Sequence, residues 1–194
     1  VRQLNLKEFV VTGTPADCSY FGLYGMNENN IEQVVSGINL GANLGTDVFY
    51  SGTVGAAIAG INLKYAPVAI SVCSFSPRDI SFIANKAFQL IQKFRSISLP
   101  QNSLININFP DILKQDYKGE LYTKLAKRGA PEAPNIISKK DQLSFTFSAS
   151  GDFIDGQSDT DMQAIENGYV SVSILNYDIS NANDFLGREI SHGS

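Results

Sequence analysis

VVSGINLGANLGTDVFYSGTVGAAIAG, residues 34–60, passes from a β-branched run through a glycine- and asparagine-rich loop into a run of small residues. Ile31 to Ile38, with Val34 and Val35 at its middle, reads as a buried strand. Residues 40–51 form the loop. Gly52 to Leu63, rich in Ala and Gly, reads as a helix able to lie very close to a sheet. Gly37, Gly41 and Gly45 are evenly spaced through the stretch, and Asn39 and Asn43 interleave with them.

The alternation continues on both sides. Phe9 to Thr12 is a short β-rich run, and Pro15 to Gly25 reads as a helix. Pro67 to Val72 is the next strand. Asp79 to Arg95 is the clearest helix, because Ile80, Ile83, Ala84, Ala87, Ile91 and Phe94 fall on one face at helical spacing. Asp79 at its start and Lys93 and Arg95 at its end suit the helix dipole. Leu104 to Phe109 alternates Ile105, Ile107 and Phe109 with Asn106 and Asn108. Strands alternating with helices predict an α/β fold with a mostly parallel sheet covered on both faces.

Beyond residue 110 the pattern changes. Strand-like pieces at Glu120–Leu125 and Leu143–Ser148 flank a polar stretch containing Pro131 and Pro134, which reads as an extended β excursion. Ser158 to Asn167 reads as a short helix, and Tyr169 to Leu175 as a final strand. The chain therefore divides into a core (1–110), a β-rich extension (111–150), and a C-terminal helix, strand and tail (151–194).

Composition narrows the chemistry. A net charge of −4 and a pI of about 4.9 argue against a protein that grips a nucleic acid polymer through its backbone. No apolar run approaches the ~20 residues of a membrane span. Cys18 and Cys73 lie far apart, without metal-ligand spacing, and read as buried thiols of a reducing, cytoplasmic compartment. The one histidine is His192, which disfavours Ser-His-Asp or Cys-His catalysis. Hydrolysis here would rest on carboxylates, amides, hydroxyls or a metal.

Four helix starts can be compared. Thr14-Pro15-Ala16-Asp17 and Ser76-Pro77-Arg78-Asp79 each carry a capping hydroxyl, a proline and an acid three positions on; Ser158-Asp159-Thr160-Asp161 repeats the cap and acid. Ser51-Gly52-Thr53-Val54 has the cap but no acid. Its first N–H groups, carrying about half a unit of positive charge, are left for another partner. With Gly52 permitting close approach and hydroxyls at Ser51 and Thr53, this is the recipe for phosphate at a helix N-terminus. Asn39 falls where the preceding strand ends, the place where open parallel sheets bind ligands. Asn side chains offer an oxygen to a hard cation and an amide to phosphate. Asp47 is read as bonding loop amides rather than serving the site, and Asp159 and Asp161 as helix-start residues. The loop fits neither a Walker A sequence nor G-x-G-x-x-G.

Residues 34–60 closely resemble the signature loop of the SurE family, the survival protein E nucleotidases. VTGTPADC (11–18), LININFP (104–110) and SDTDMQAIENGYVSV (158–172) resemble further family segments in the same order. The resemblance implies a Rossmann-like three-layer core with a protruding β-rich arm that builds homodimers or homotetramers. It implies hydrolysis of nucleoside 5′- and 3′-monophosphates, and of short polyphosphate in some members, with Mg²⁺ or Mn²⁺. Residue by residue, it makes Asn39 a metal ligand. It sets Asn43, Ser51, Gly52 and Thr53 against the phosphate, with Asn43 and Ser51 catalytic. Thr46 stands where the family often has an acid, and Ser173-Ile174 replaces a usual Thr-Pro. The family's first strand, ending in an Asp-Asp pair, and a later metal-binding Ser have no counterpart here, and the resemblance puts them before Val1. A catalytically incomplete nucleotide- or phosphate-binding fragment and a structural assembly piece are the alternative expectations.

Overall fold

The computed structural model describes residues 1–26, 30–130, 133–139, 142–146, 151–154 and 158–178. Its elements in chain order are β1 (Arg2–Asn5), β2 (Glu8–Val10), α1 (Pro15–Tyr20), β3 (Val35–Leu40), α2 (Gly52–Ile58), β4 (Val68–Val72), α3 (Ile80–Arg95), β5 (Ser103–Phe109), β6 (Glu120–Tyr122), β7 (Asn135–Lys139), β8 (Gln142–Thr146), α4 (Asp161–Glu166) and β9 (Val170–Asn176). A π-helical turn, Phe21–Gly25, extends α1, and a 3-10 turn, Gly45–Tyr50, precedes α2.

The main sheet has the order β3-β4-β5-β9-β6. Neighbours pair in parallel except β5 with β9. The fold is the expected α/β class: a mostly parallel, Rossmann-like sheet with helices on both faces. β1–β2 and β7–β8 are separate antiparallel pairs.

Register sorts the buried side chains. Val68, Ile70 and Val72 of β4 lie opposite Ile105, Ile107 and Phe109 of β5. Val172 and Ile174 of β9 continue that face. Side chains two apart share a face, so these residues of β4, β5 and β9 form one apolar floor. The buried stripe Ile83, Ala87, Leu90 and Phe94 of α3 covers it. That stripe differs from the expected face: Leu90 belongs to it, whereas Ile80, in the first turn, and Ala84 are exposed.

The opposite face is divided. Ala69 and Leu104 pack with Val48, Val54 and Ala57 beneath α2. Further along the same strands lie Ser71, Asn106, Asn108, Ser171 and Ser173, all fully buried. The sheet is thus dry against α3 and turns polar at one end of the α2 side.

Several boundaries depart from expectation. The predicted buried strand over Ile31–Ile38 is an edge strand at Val35–Leu40, with Val35 and Leu40 exposed, because only β4 flanks it. α2 ends at Ile58 rather than Leu63, as Gly60 and Ile61 turn back with i→i−3 bonds to Ala57 and Ile58. α3 is capped by Asp79, whose carboxylate accepts the Phe82 N–H at 2.9 Å, and not by Ser76. The Arg78 N–H is held instead by Asp111 at 2.8 Å, which keeps that turn out of the helix. α4 is capped by Thr160, not Ser158, because Asp159 takes a left-handed φ of 57°. The capping box of α1 forms as read, with Thr14 and Asp17 exchanging bonds. Within residues 111–150, β6 joins the main sheet beside β9, so the excursion narrows to the β7–β8 hairpin. The predicted strand Leu143–Ser148 corresponds to β8, and residues 147 and 148 fall outside the described residues.

Phe109 is fully buried in the dry face and Leu121 is 43% exposed on the edge strand β6. Phe109→Ala is expected to destabilise by about 3–5 kcal/mol and Leu121→Ala by less than about 1 kcal/mol. Urea denaturation of the two variants measures the difference.

Candidate active site

The loop joining β3 to α2 begins with Asn39, which is half-buried in β3 opposite Ser71 of β4. Its amide Nδ2 donates to the Gly41 carbonyl at 2.9 Å. That bond orients the side chain and leaves Oδ1 without a donor among the described residues. A hard cation selects such an oxygen.

Asn43 is buried, and its side chain turns toward the sheet. Nδ2 donates to Ser71 Oγ at 2.5 Å. Its backbone is held by β5: the Asn43 N–H donates to Asn108 Oδ1, and its carbonyl accepts from both Asn106 Nδ2 and Asn108 Nδ2, each at 2.9 Å.

Gly45 follows with a left-handed φ of 54°, and a β-carbon there would lie 2.6 Å from the Ala126 carbonyl oxygen. Its N–H donates to Asp161 Oδ2 at 2.7 Å. Asp161 is fully buried, and its Oδ1 accepts from the N–H groups of Ala126 and Met162, both at 2.9 Å. Burial pushes this carboxyl above the ordinary range, and the backbone donors, which pull it down, offset that only in part. Asp161 stands in the first turn of α4, as expected of a helix-start acid. It also ties α4 to the loop and to the chain at Ala126. No local signal announces this, since those partners lie 116 and 35 residues away.

Asp47 plays the structural part expected of it, through a different partner. Both its oxygens accept from Arg128 Nε at 2.9 Å, and Arg128 Nη2 approaches Oδ2 at 2.7 Å. Arg128 also donates to the Gly151 carbonyl and lies over the Phe153 ring.

At the start of α2, Ser51 Oγ accepts the Val54 N–H at 3.1 Å, as a cap should. The first turn has no acid. α1 and α4 carry Asp17 and Asp161 in their first turns, and α3 is capped by Asp79. The N–H groups of Gly52 and Thr53 have no acceptor among the described residues. Gly52 also serves packing, since a β-carbon there would meet the Pro15 ring at 3.0 Å, so the starts of α1 and α2 adjoin. Ser51, Gly52 and Thr53 are thus together, and no hydrogen bond joins them to Asn39 or Asn43.

The hollows do not coincide with the whole loop. One of about 800 Å³ beside β3 is lined by Pro15, Leu23, Ile31, Val34 and Ala56, and by none of the five expected site residues. Another of about 460 Å³ is bordered by Ser51 together with Val54, Leu104, Leu175 and Tyr177. The larger hollow is mostly apolar, and the polar groups of the loop lie outside it. The cysteines are not the two buried thiols expected. Cys18 is exposed and Cys73 half-buried. Burial, with the Asp161 charge, pushes the Cys73 thiol up to about 12.

Among the described residues no cluster of three His, Cys, Asp or Glu is placed to hold a metal ion. A hard divalent cation takes roughly six oxygens, usually with one or two carboxylates. Asn39 Oδ1 fits such an ion as one ligand, but the described residues do not complete its shell.

A family model described as survival protein SurE matches residues 2–132. Proteins described as 5′-nucleotidase SurE from Pseudomonas savastanoi pv. phaseolicola and Pseudomonas syringae pv. syringae are each 38% identical over 169 residues, spanning 87% of this chain and 68% of theirs. The crystal structure of the SurE protein from Aquifex aeolicus superimposes with a TM-score of 0.74 at 32% identity, covering 89% of this chain and 71% of that one.

Asp161→Ala would leave the Gly45 and Ala126 N–H groups buried without acceptors, at about 1–3 kcal/mol for each. Urea unfolding is expected to show a loss of at least about 2 kcal/mol. Asp159→Asn, exposed and tolerant of the left-handed φ, should stay within about 0.5 kcal/mol of the unsubstituted protein.

Proposed function

The chain belongs to the survival protein SurE family, and from that premise we propose that it is a nucleotidase: a phosphatase acting on nucleoside 5′-monophosphates. Nucleoside 3′-monophosphates and short polyphosphate are part of the same proposal. The observation that carries it to this chain is the α2 start, acid-free and with the Gly52 and Thr53 N–H groups unpaired among the described residues, at the end of the Asn/Gly loop.

The chemistry follows from what these groups can donate. A phosphate monoester presents several anionic oxygens. The Gly52 and Thr53 amides and the Ser51 and Thr53 hydroxyls are donors for them, and the Ser51 hydroxyl proton stays available while its oxygen caps Val54. Asn43 Nδ2 bonds Ser71 with one hydrogen, and its second hydrogen is the one assigned to phosphate. Fixed donors aimed at charge that develops on phosphoryl oxygens lower the barrier without reorganising. We assign Asn39 Oδ1 to a divalent cation, Mg²⁺ or Mn²⁺. When bound, such a cation supplies positive charge against the phosphate oxygens.

The test is phosphate release from AMP with Mg²⁺, with Mn²⁺ and with EDTA. Release only with metal is expected, and Asn39→Ala, which removes a ligand assigned to the cation, should lower it by at least about 10- to 100-fold, the loss that even outer partners of metal ligands give. Release that survives EDTA would remove the cation from the proposal. The absence of an acidic metal cluster among the described residues favours a second reading, a phosphate- or nucleotide-binding chain without turnover. It predicts that AMP raises the melting temperature while no phosphate appears.

The β7–β8 hairpin carries Ile136, Leu143 and Phe145 exposed on one face. A two-stranded hairpin is marginal in water by itself. We propose that a second copy of the chain covers this face, in a homodimer or homotetramer. No helix among the described residues is long and apolar enough to cross a membrane. Light scattering after size exclusion should give a multiple of the chain mass, and Ile136→Ser with Leu143→Ser should reduce it. A monomer before substitution would rule this out.

A further inference from the structure

β5 is buried along its whole length, yet two of its residues are asparagines. Both face the α2 side, and both are used on one residue of the candidate loop. Asn108 receives the Asn43 N–H at Oδ1 and gives its Nδ2 hydrogen to the Asn43 carbonyl. A neighbouring strand would offer the same donor and acceptor to that peptide. Asn43 lies outside any strand, so a side chain stands in for the missing partner.

Asn106 makes the case from the other direction. Its Nδ2 is a second donor to the Asn43 carbonyl, while its Oδ1 is buried with no partner among the described residues. A buried amide with one unsatisfied end is unfavourable compared with an apolar residue of the same size. What the amide adds is its N–H bond to the loop. Ser71 of β4 takes the Asn43 side chain. Four bonds from two strands therefore fix one residue. Asn43 lies between Asn39 and the 3-10 turn that leads into Ser51.

We propose that Asn108, seconded by Asn106, is a positioning residue for catalysis: it sets the Asn43 main chain, and through it the spacing of Asn39 from the α2 start. This rests on loop 39–53 being the phosphate site. Asn108 touches neither phosphate nor cation in this assignment. Its effect is geometric, and a displacement of about 1 Å in such a site can lower rate by about 10²-fold.

The experiment compares Asn108→Leu and Asn106→Leu in the protein, with AMP kinetics, melting temperature and the melting shift produced by inorganic phosphate. Asn108→Leu should lower kcat by about 10- to 100-fold with KM within about threefold. Its phosphate-induced shift should persist, because the Gly52 and Thr53 donors are intact. Asn106→Leu removes one of two donors to the same carbonyl together with an orphaned oxygen. It should melt no lower than the unsubstituted protein and lose less in kcat than Asn108→Leu, but measurably. Wild-type kcat in a folded Asn108→Leu overturns the proposal. If Asn108→Leu does not fold, wild-type kcat in Asn106→Leu overturns it instead. An unsubstituted protein that never releases phosphate fails earlier, and overturns the nucleotidase reading on which this positioning role rests.

Discussion

The parallel pairing of β4 with β5 governs the rest of the molecule. Val68 opposite Ile105, Ile70 opposite Ile107 and Val72 opposite Phe109 give α3 a continuous apolar floor. The same register places Ser71 beside Asn108 on the other face. A slip of one residue would turn the asparagines into the α3 interface and the isoleucines toward the loop. Burial of the dry face therefore fixes where the polar groups stand. Hydrophobic packing against α3 and hydrogen bonding to Asn43 are two consequences of one register.

From that floor the site loop is built by long-range tethers. Asn43 is held by β4 and β5, Gly45 by Asp161 at the start of α4, and Asp47 by Arg128. None of these partners is near in sequence. The loop contains glycines at 41 and 45, both with positive φ, and glycine-rich chain is entropically expensive to order. Fixed side chains of the sheet and of α4 supply the order that the loop's own composition does not. The cost is a polar layer buried beneath α2, with the Asn106 oxygen as its unsatisfied remainder.

What could be read from sequence follows the range of the interaction. The β5 alternation of Ile105, Ile107 and Phe109 with Asn106 and Asn108 was legible because its period is local, and so were the capping box at Thr14–Asp17 and the acid-free start at Ser51. The signature loop was legible as a resemblance covering residues 34–60. The caps fall at Asp79 and Thr160, away from the serines that the local pattern offers, because neighbours intervene: Asp111 takes the Arg78 N–H, and Asp159 leaves helical φ. The edge position of β3 was hidden because burial depends on what lies beside a strand, not on its residues. Asp161 looked like an ordinary helix-start acid, and nothing near it in sequence distinguishes that role from a buried tether to Gly45 and Ala126.

The electrostatics of the assembled loop bear on the proposed chemistry. Its donors are amides and hydroxyls, and the partial charge at the α2 start amounts to about half a unit. A phosphate monoester carries up to about two negative charges near neutral pH. Asp161 sits behind Gly45 as a buried carboxyl, and the chain as a whole is net acidic. Asp47, the acid within the loop, is matched by Arg128. Neutral donors can orient a phosphoryl group but do not balance its charge. A dianion held there calls for positive charge from elsewhere, and the Asn39 oxygen, freed by its amide's bond to Gly41, is the place on this loop where a cation would be received. The proposed cation would thus supply what the α2 start lacks, at the oxygen that Asn39 offers.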